Sequence, residues 1–404
     1  MSRTPVLPLA LSLVFGICGL AIADAAELFD PRFGLVSGSA RLRYEHVDQA
    51  NLTRNADAKT VRLALGYRTP ERGGLSGFVE GEIVESLGSA RYNSSINRRT
   101  TYPVVADPDT VELNQAYLRL TAIPDSVIAA GRQAINLTNQ RFVGAVGFRQ
   151  NQQTFDALRI STTAVPLVAL DGFYATEVHR IFGTRSSAGS FNTNLVSLQA
   201  TAKPAWAEVS AYAHVFDIDD LAAQSSRTLG VRATAKQSLG YDWTGSLALE
   251  AATQSDHGNN ASDYQAGYYV FEPGIAKGAF NARLKTEIIE GRGGSSFQFP
   301  FGTNHAFQGW ADLFLTTPAG GIREHALIAT YRVPFGGIWQ GTTAYAAGHL
   351  FYSDSGDRYG QELDLRLSRP VAKGTTLSLE LADYKADGFG NDTQKWWITL
   401  AVSF

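Results

Sequence analysis

The chain has 404 residues, a formal net charge of −3 and 44% hydrophobic residues. This slightly acidic balance excludes a protein that binds nucleic acid through overall positive charge. The single cysteine excludes a disulfide framework and any Cys-x-x-Cys motif. Beyond the N-terminus no stretch approaches about 18 consecutive apolar residues, so the sequence predicts no transmembrane helix there.

The N-terminal segment has the pattern of a secretory signal. Arg3 precedes an apolar run that ends at Ala23, within the small-x-small sequence Ala23-Asp24-Ala25. This order predicts a signal peptide at 1–25, cleavage near Ala25 and passage of the chain out of the cytoplasm. The alternative is an uncleaved anchor helix, which the shortness of the run and its small residues disfavour.

Apolar and polar residues alternate along the C-terminal segment. One face carries Trp396, Ile398, Leu400, Val402 and Phe404. A period of 2 over about ten residues matches the length that a tilted strand needs to cross a bilayer. The same alternation recurs over 61–68, 243–250, 363–367 and 377–381.

About 18 such segments are separated by connections that are alternately short and long. The eight short connections contain turn-forming residues, as at Pro70–Gly74 and Pro370–Gly374, and the nine long ones are more polar. The mean spacing of about 21 residues per strand exceeds the 8–12 typical of sandwiches. The long connections are expected near 47–58, 87–109, 135–153, 180–192, 217–226, 254–261, 291–320, 352–357 and 385–393.

This pattern predicts one all-β domain at 26–404, a transmembrane antiparallel β-barrel of about 18 strands in the Gram-negative outer membrane. In lipid every backbone N–H and C=O must be paired, so a spanning sheet has to close on itself. Short turns are then periplasmic, long loops are extracellular, and lipids contact the outward face. A soluble secreted β-protein is the alternative.

Charged residues on the polar face of the early strands are candidates for the lumen. Arg41 and Arg43 share one face of the first strand, Arg62 lies on the second and Glu112 on the fourth. An arginine facing lipid at mid-bilayer costs about 2–4 kcal/mol, so these side chains should face inward. A barrel of this size leaves an aqueous channel, in which charged rings set ion selectivity. The alternative is that the charges pair and merely solvate the wall.

The segment 131–157 combines arginines, amides and aromatic rings. Guanidinium groups bind carboxylates through two parallel hydrogen bonds, amides suit sugar hydroxyls, and rings offer flat apolar faces, so we expect an acidic sugar as ligand. A second long segment, 296–322, either folds over or into the pore or packs its rings against the inner wall. The residues expected to line the pore or bind substrate are Arg41, Arg43, Arg62, Glu112, Arg132, Gln133, Arg141, Arg149, Gln152, Asp156 and Arg159.

Sequence motifs of enzymes and metal sites do not occur. The seven histidines are scattered, and no two have the spacing of a His-Glu-x-x-His site. A Gly-x-Ser-x-Gly nucleophile elbow is also missing. We therefore expect no catalytic residue, no metal and no cofactor. A membrane-embedded barrel lipase, protease or deacylase is the alternative.

Several runs of the sequence resemble the alginate export family of outer-membrane proteins. They are RLRYEHVDQ (41–49), TYPVVADPDTVELNQAYL (101–118), GRQ (131–133), NQRFVGAVGFRQNQQTFDA (139–157) and FQFPFGTNHAFQGWADLFLTTPAGGI (297–322). The resemblance spans nearly the whole mature chain. It implies an 18-stranded monomeric barrel and passive export of a polyuronate through an arginine-lined constriction.

Two transport functions are compatible with these features. The first is a channel for an anionic, alginate-like polysaccharide or oligosaccharide, since fixed positive charge lowers the cost of moving carboxylates through a narrow pore. The second is a general or substrate-uptake porin for small organic solutes. The terminal strand, which ends at Phe404, resembles the signal that the outer-membrane assembly machinery binds, so we expect that machinery as a partner and no nucleic acid.

Overall fold

The computed structural model describes residues 31–292 and 294–404, and the predicted signal segment 1–25 lies outside them. The described part contains twenty β-strands and four short 3-10 turns. The strands are β1 (Leu35–Gln49), β2 (Ala56–Arg68), β3 (Leu75–Ser86), β4 (Thr110–Leu120), β5 (Ser126–Gln133), β6 (Thr154–Val165), β7 (Val168–His179), β8 (Ser190–Ala202), β9 (Glu208–Ile218), β10 (Ser226–Gly240), β11 (Trp243–Asp256), β12 (Gln265–Lys277), β13 (Phe280–Ile289), β14 (Gly291–Arg292), β15 (Ser295–Ser296), β16 (Ile322–Arg332), β17 (Thr343–Tyr352), β18 (Arg358–Ala372), β19 (Thr375–Ala386) and β20 (Thr393–Ser403). The 3-10 turns are Pro31–Phe33, Asp219–Gln224, Asn304–Ala306 and Gly337–Trp339.

Eighteen of the described strands form one sheet that closes into a barrel. Strands that follow one another along the chain pair in antiparallel register, and β1 closes the barrel against β20 from Ser39↔Ser403 to Gln49↔Thr393. The two-residue strands β14 and β15 form a separate small hairpin. Closure removes unpaired strand edges, as a sheet in lipid requires. The prediction of an all-β antiparallel barrel with 18 strands is confirmed.

The connections lie alternately at the two ends of the barrel, but their lengths alternate only in part: 50–55 and 69–74 are equally long, and 333–342 is longer than 353–357. Two-residue turns such as 166–167 and 373–374 join strands at one end, and the long connections lie at the other. The sequence also predicts a short connection at 272–278, but the turn there is confined to 278–279, because β12 continues through Pro273. Pro273 pairs with β11 but has no partner on β13, a position where its missing N–H does no harm. None of the described helical segments is long and apolar enough to cross a membrane.

The two faces of the barrel wall differ in polarity. Along β18 the outward side chains of Leu363 and Leu365 are 45% and 39% exposed, whereas the alternating Glu362 and Asp364 are buried inside. Exposed leucines are stable on this surface because lipid, not water, contacts them. The barrel therefore presents an apolar exterior and a polar interior.

The largest hydrophobic core lies inside the barrel rather than between sheets. It forms because two long connections, loop 3 (134–153) and loop 7 (290–321), fold into the lumen. Val143 of loop 3 and Phe301 of loop 7 form a parallel β-bridge. The core includes Phe142, Phe155, Phe297, Phe299, Phe301 and Tyr268. Loop 7 thus folds into the pore and also packs its rings against the inner wall, two outcomes that the sequence left open.

Candidate functional site: the lumen constriction

Loops 3 and 7 are joined by backbone and amide hydrogen bonds. The Gly144 N–H donates to the Phe301 carbonyl at 3.0 Å, and the Gln153 amide donates to the same carbonyl at 3.0 Å. The Thr303 N–H donates to the Gln140 carbonyl at 2.9 Å. The two loops therefore form one joined unit inside the lumen, and we call the part of the lumen beside this unit the constriction.

Asparagine side chains give loop 3 its shape. The Asn136 Oδ1 accepts a hydrogen bond from the Ala145 N–H at 2.7 Å, and the Asn139 Oδ1 accepts one from the Arg141 N–H at 3.3 Å. Gln140, which lies between Asn139 and Arg141, has φ 65°, a left-handed conformation that few residues other than glycine adopt. Asparagine commonly satisfies backbone donors in such turns.

Arg141 fastens loop 3 to loop 7 and to the wall. Its guanidinium lies 3.2 Å from a carboxylate oxygen of Glu287, and both side chains are almost fully buried. The guanidinium carbon also lies 3.6 Å from the ring centroid of Phe299 and 4.5 Å from that of Phe307. A buried cation with these contacts has a structural role, so Arg141 adds little free positive charge to the lumen.

Arg149 belongs to a buried network of charged groups. Its guanidinium contacts Glu45 at 3.1 Å and Asp312 at 3.0 Å, and the Lys395 ammonium contacts Asp312 at 2.8 Å. Burial alone would lower the pKa of Arg149, but the carboxylates of Glu45, Asp107 and Asp312 outweigh it and raise that pKa. Burial would raise the pKa of Asp312, but Lys395 and its other cationic neighbours hold it well below its usual range. The network ties both loops to β1 and β20.

Arg41 and Arg43 differ from the other lumen arginines in their partners. The Arg41 Nη1 donates to the carbonyls of Phe148 and Arg149 at 2.7 and 3.0 Å. The Arg43 Nη1 donates to the Phe148 carbonyl at 2.7 Å, and its Nε donates to the Thr399 hydroxyl at 3.2 Å. Among the described residues no carboxylate lies at ion-pair distance from either guanidinium. Arg43 is buried and Arg41 is half-buried, so both positive charges lie at the contact between β1 and loop 3.

Arg62 lies directly opposite Arg41 in the β1–β2 register. Unlike Arg41, it is paired, with its guanidinium 2.5 Å from the buried Glu82 carboxylate. A hydrogen bond to Ser39 at 3.0 Å completes its contacts. The positive charge of Arg62 is therefore largely balanced at the wall.

Of three further predicted residues, Glu112 and Gln152 hold loops against the lumen wall, and Gln133 joins two neighbouring strands of the wall. Glu112 accepts hydrogen bonds from the Thr184 N–H at 2.7 Å and from the Asn151 amide at 3.4 Å. Gln152 accepts one from Asn114 at 3.0 Å. The Gln133 amide is buried and donates to the Ala157 carbonyl at 3.1 Å. These three side chains are engaged in hydrogen bonds within the protein, so their role is to hold the chain in position.

Arg132 and Asp156 lie on the outward face, although the sequence analysis placed them in the lumen. Asp156 sits between Phe155 and Ala157, which are buried in the lumen core, and beside Leu158, which is exposed to the outside. Arg132 pairs with Asp156 across the β5–β6 ladder through contacts of 2.8 and 3.0 Å. The pair is tolerated there because it lies at the extracellular ends of the strands, beyond the lipid core.

The same outward patch is the one place among the described residues where three potential metal ligands meet. One ligand atom each of Asp156, Glu177 and His179 lies within 4.8 Å of the others. Asp156 is already bound by Arg132, and all three lie away from the lumen. The patch does not contribute to the constriction.

Arg159 faces the lumen, together with Arg119, which the sequence analysis did not include. Arg159 forms an ion pair with Asp171 at 2.7 Å. Arg119 occupies the same rung of the sheet, through Ala129. Both arginines line a cavity of about 260 Å³ below loop 3. A β-bulge at Asn114 turns the following residues of β4 over, so simple alternation from Glu112 places Arg119 on the wrong face.

Comparison with known proteins agrees with this architecture. The alginate export family model matches residues 35–314. Among solved structures, Pseudomonas aeruginosa OccK9 (OpdG) is similar at 16% identity, with a TM-score of 0.73 over 92% of this chain and 98% of that chain. Acinetobacter baumannii OccAB4 has 12% identity and a TM-score of 0.72 over 93% and 100%. Pseudomonas aeruginosa OpdK with vanillate has 14% identity and a TM-score of 0.71 over 91% and 98%.

These structural matches are too distant in sequence to show more than the fold, and no curated protein sequence matches the chain. The family and the fold are those of transport porins of the Gram-negative outer membrane, whose outward face contacts lipids. The family match covers well over half of the chain and coincides with the closed 18-stranded barrel. This chain is therefore an outer-membrane β-barrel that belongs to the alginate export family.

Proposed function

We propose that the protein is a selective diffusion channel for small organic anions, which pass the constriction beside Arg41 and Arg43. The observation that carries this proposal is the pair of guanidinium groups without a carboxylate partner among the described residues. Fixed charge at a narrow, low-dielectric site attracts ions of opposite sign and repels those of the same sign. Most other lumen arginines are balanced by acids and contribute less to this field.

The joined loops favour small solutes over a polymer chain. Loops 3 and 7 are fastened to the wall by the buried Arg141–Glu287 and Arg149–Glu45 contacts, so opening the lumen for a polysaccharide would break several buried ion pairs. A solved structure of OpdK, which is similar in fold, contains vanillate, a small carboxylate. We therefore expect single carboxylate solutes to pass without such an opening.

A second candidate function is passage of an anionic, alginate-like polysaccharide or oligosaccharide. The family description favours it, because the match over 35–314 is to alginate export. This function requires loops 3 and 7 to separate during transport. We infer a channel rather than an enzyme in either case, acting as a monomer and without a cofactor.

The test is the reversal potential of the purified barrel in a planar lipid bilayer under a KCl gradient. The wild type should prefer chloride over potassium. The double substitution Arg41→Gln with Arg43→Gln should lower this preference, because it removes two unpaired charges and keeps a polar side chain at each position. A matched control is Arg132→Gln with Arg227→Gln, which also removes two arginines but from the outward face.

Three kinds of result would decide between a channel for small organic anions and a channel for an anionic polysaccharide. Loss of anion preference in the Arg41/Arg43 variant alone supports the proposal. Equal selectivity of all three proteins, or a wild type that prefers cations, would overturn it. Block of the current by long oligouronates, with no effect of small carboxylates, would favour the polysaccharide function instead.

A further inference from the structure

A second cavity lies on the extracellular side of the joined loops. It forms where loops 3 and 7 meet loop 4 (180–189) and loop 5 (219–225), and it has a volume of about 290 Å³. The groups that matter for binding are Arg180, Ile181, Phe182, Phe191, Leu221 and Gln224. A space of this size is near the lower end for ligand pockets, so it fits a solute of about one ring.

Arg180 brings an unpaired positive charge into this cavity. Its guanidinium carbon lies 4.8 Å from the ring centroid of Phe182 and 4.4 Å from that of Phe191. Its Nη1 donates to the Ala188 carbonyl at 3.3 Å, and no other hydrogen bond of this guanidinium reaches a described residue. Among the described residues no carboxylate pairs with it. Since a guanidinium carries five N–H donors, most of them remain free for a ligand.

The electrostatic state of Arg180 agrees with this geometry. Burial without a compensating anion lowers the pKa of Arg180 to about 10. The side chain therefore stays charged at neutral pH but is poorly solvated. A carboxylate bound to it would supply the missing counter-charge in a bidentate arrangement.

The other charges that line the cavity are already balanced. Asp312 would repel an anion if it were free, but it contacts Arg149 at 3.0 Å and His305 at 2.7 Å. Lys395 contacts the same carboxylate at 2.8 Å, and Glu45 balances Arg149 from the other side. Arg180 is thus the surplus charge of the cavity, and that charge is positive.

The remaining lining is mixed, but its amides on loops 3 and 7 are engaged within the protein: Gln153 donates to the Gly144 and Phe301 carbonyls, Gln298 to Ser296 and Thr317, and Asn304 to the Phe299 and Leu315 carbonyls. Ile181, Leu221 and the ring of Phe182 offer flat or branched hydrocarbon surface, and the Gln224 amide supplies a neutral polar group without a hydrogen bond to the described residues. A sugar acid would leave several hydroxyls unpaired against these groups, which costs binding energy. A carboxylate with an apolar ring would satisfy Arg180 and bury its ring.

We propose that this cavity is an extracellular capture site for small carboxylates with an apolar ring, in which Arg180 binds the carboxylate and Ile181, Phe182 and Leu221 hold the ring. The inference rests on the proposed function, since it names a substrate class for the same channel. It adds a binding site that lies before the Arg41/Arg43 constriction on the path from the outside. A solute would reach the constriction after concentrating above the joined loops.

Benzoate is the probe, and its binding to the purified full-length barrel in detergent is measured by ligand-observed NMR titration. Benzamide tests the need for the charge, and glucuronate tests the preference for an apolar body. Benzoate should bind most tightly. Arg180→Gln should weaken benzoate binding about tenfold or more, because charge-assisted hydrogen bonds are lost. Arg180→Lys keeps the positive charge but loses the planar set of N–H donors. Its benzoate affinity should lie between those of the wild type and Arg180→Gln.

Arg185→Gln is the matched control. It removes an arginine from the same loop, but Arg185 is exposed, donates to the Asp109 carbonyl and does not line the cavity. Heat-modifiable migration on a gel verifies that every variant is a folded barrel. Benzoate binding that weakens in Arg180→Gln but not in Arg185→Gln supports the proposal.

Three outcomes would overturn the capture site: no benzoate binding to the wild type, equal binding to wild type and Arg180→Gln, or tighter binding of benzamide or glucuronate than of benzoate. These failures are separable from failure of the proposed channel function. An anion-selective barrel without benzoate binding would remove the capture site alone. Benzoate binding that depends on Arg180 in a barrel without anion selectivity would remove the Arg41/Arg43 proposal alone.

Discussion

Phe148 and His305 stack with their ring centroids 3.5 Å apart and their planes at 16° to each other. Phe148 belongs to loop 3 and His305 to loop 7, so this contact joins the two loops beside the unpaired cations. The Arg43 guanidinium carbon lies 4.3 Å from the same Phe148 ring. The position of the loops and the position of the charges are therefore coupled, and changes that separate the loops should alter conduction.

Gly302 provides the first test of this coupling. A Cβ at this position would overlap the carbonyl oxygen of Arg141, where loop 7 passes close to loop 3. Gly302→Ala should push the loops apart, at a cost of about 1–3 kcal/mol typical of overpacking, and raise the single-channel conductance. Gly147→Ala in loop 3 is the control, because a Cβ there meets no atom within 4 Å. Wild-type conductance in Gly302→Ala would contradict a tight loop junction.

Asp312 tests how far the buried charges stabilise the barrel. Asp312→Asn keeps the shape of the side chain but leaves Arg149 and Lys395 without their shared anion. Because breaking a buried pair leaves uncompensated charge, we expect the free energy of unfolding to fall by about 3–5 kcal/mol. Guanidinium unfolding in detergent measures this change.

The control for Asp312 is Asp387→Asn. Asp387 pairs with Arg358 at 3.1 Å, but both side chains are about half exposed to solvent. Exposed pairs of this kind contribute about 0–1 kcal/mol, so the control should unfold nearly as the wild type does. Equal losses in the free energy of unfolding of the two variants would mean that the Asp312 network stabilises the barrel no more than an exposed ion pair does.

The pH dependence of stability should carry the signature of Asp312. Its cationic neighbours lower the pKa of this carboxyl in the folded state below the ordinary value of about 3.9. The ionised form therefore stabilises the fold fully above about pH 3.9, and that stabilisation is lost as the pH falls toward the folded-state pKa. The difference in unfolding midpoint between wild type and Asp312→Asn should stay constant from pH 7 to about pH 4.5 and shrink at lower pH. A difference that already disappears between pH 7 and pH 5 would refute this assignment.

The parts of the structure that sequence predicted well obey local rules. Alternation of Leu363 and Leu365 with Glu362 and Asp364 identifies a strand between lipid and lumen, because each residue type has one compatible face. The same rule predicts that Arg41 faces inward, and its guanidinium contacts loop 3 inside the barrel. Turn residues then indicated the number of strands, because each strand of a closed antiparallel barrel must reverse direction into the next.

The parts that sequence missed depend on irregular backbone or on distant partners. The bulge at Asn114 reverses the faces of the later β4 residues, which is why Arg119 was not recognised. Arg132 was placed inside by the rule for lipid-facing charge, but its part of β5 lies beyond the lipid core. Arg149 and Asp312 are 163 residues apart, so nothing local reveals that the acid neutralises the arginine. The sequence pattern therefore predicts where the arginines lie, but it does not reveal which of them lack an acidic partner.

Phe404 tests the closing seam of the barrel. Its N–H donates to the Gly38 carbonyl at 3.0 Å and its carbonyl accepts from the Gly38 N–H at 3.2 Å, so it extends the β1–β20 pairing. The ring lies over Gly38, where a Cβ would overlap it. Deleting Phe404 removes two backbone hydrogen bonds, each worth about 0.5–1.5 kcal/mol, together with this ring contact. We predict a smaller heat-modifiable fraction in isolated outer membranes.

Phe404→Tyr and Phe404→Ala separate the two contributions. The tyrosine variant keeps both the ring and the backbone pairing and should assemble as the wild type does. The alanine variant keeps only the two hydrogen bonds with Gly38 and should give an intermediate fraction. If recognition by the assembly machinery depends on the aromatic ring, the alanine variant should instead be as deficient as the deletion. A deletion that assembles normally would mean that the barrel closes without this last pair.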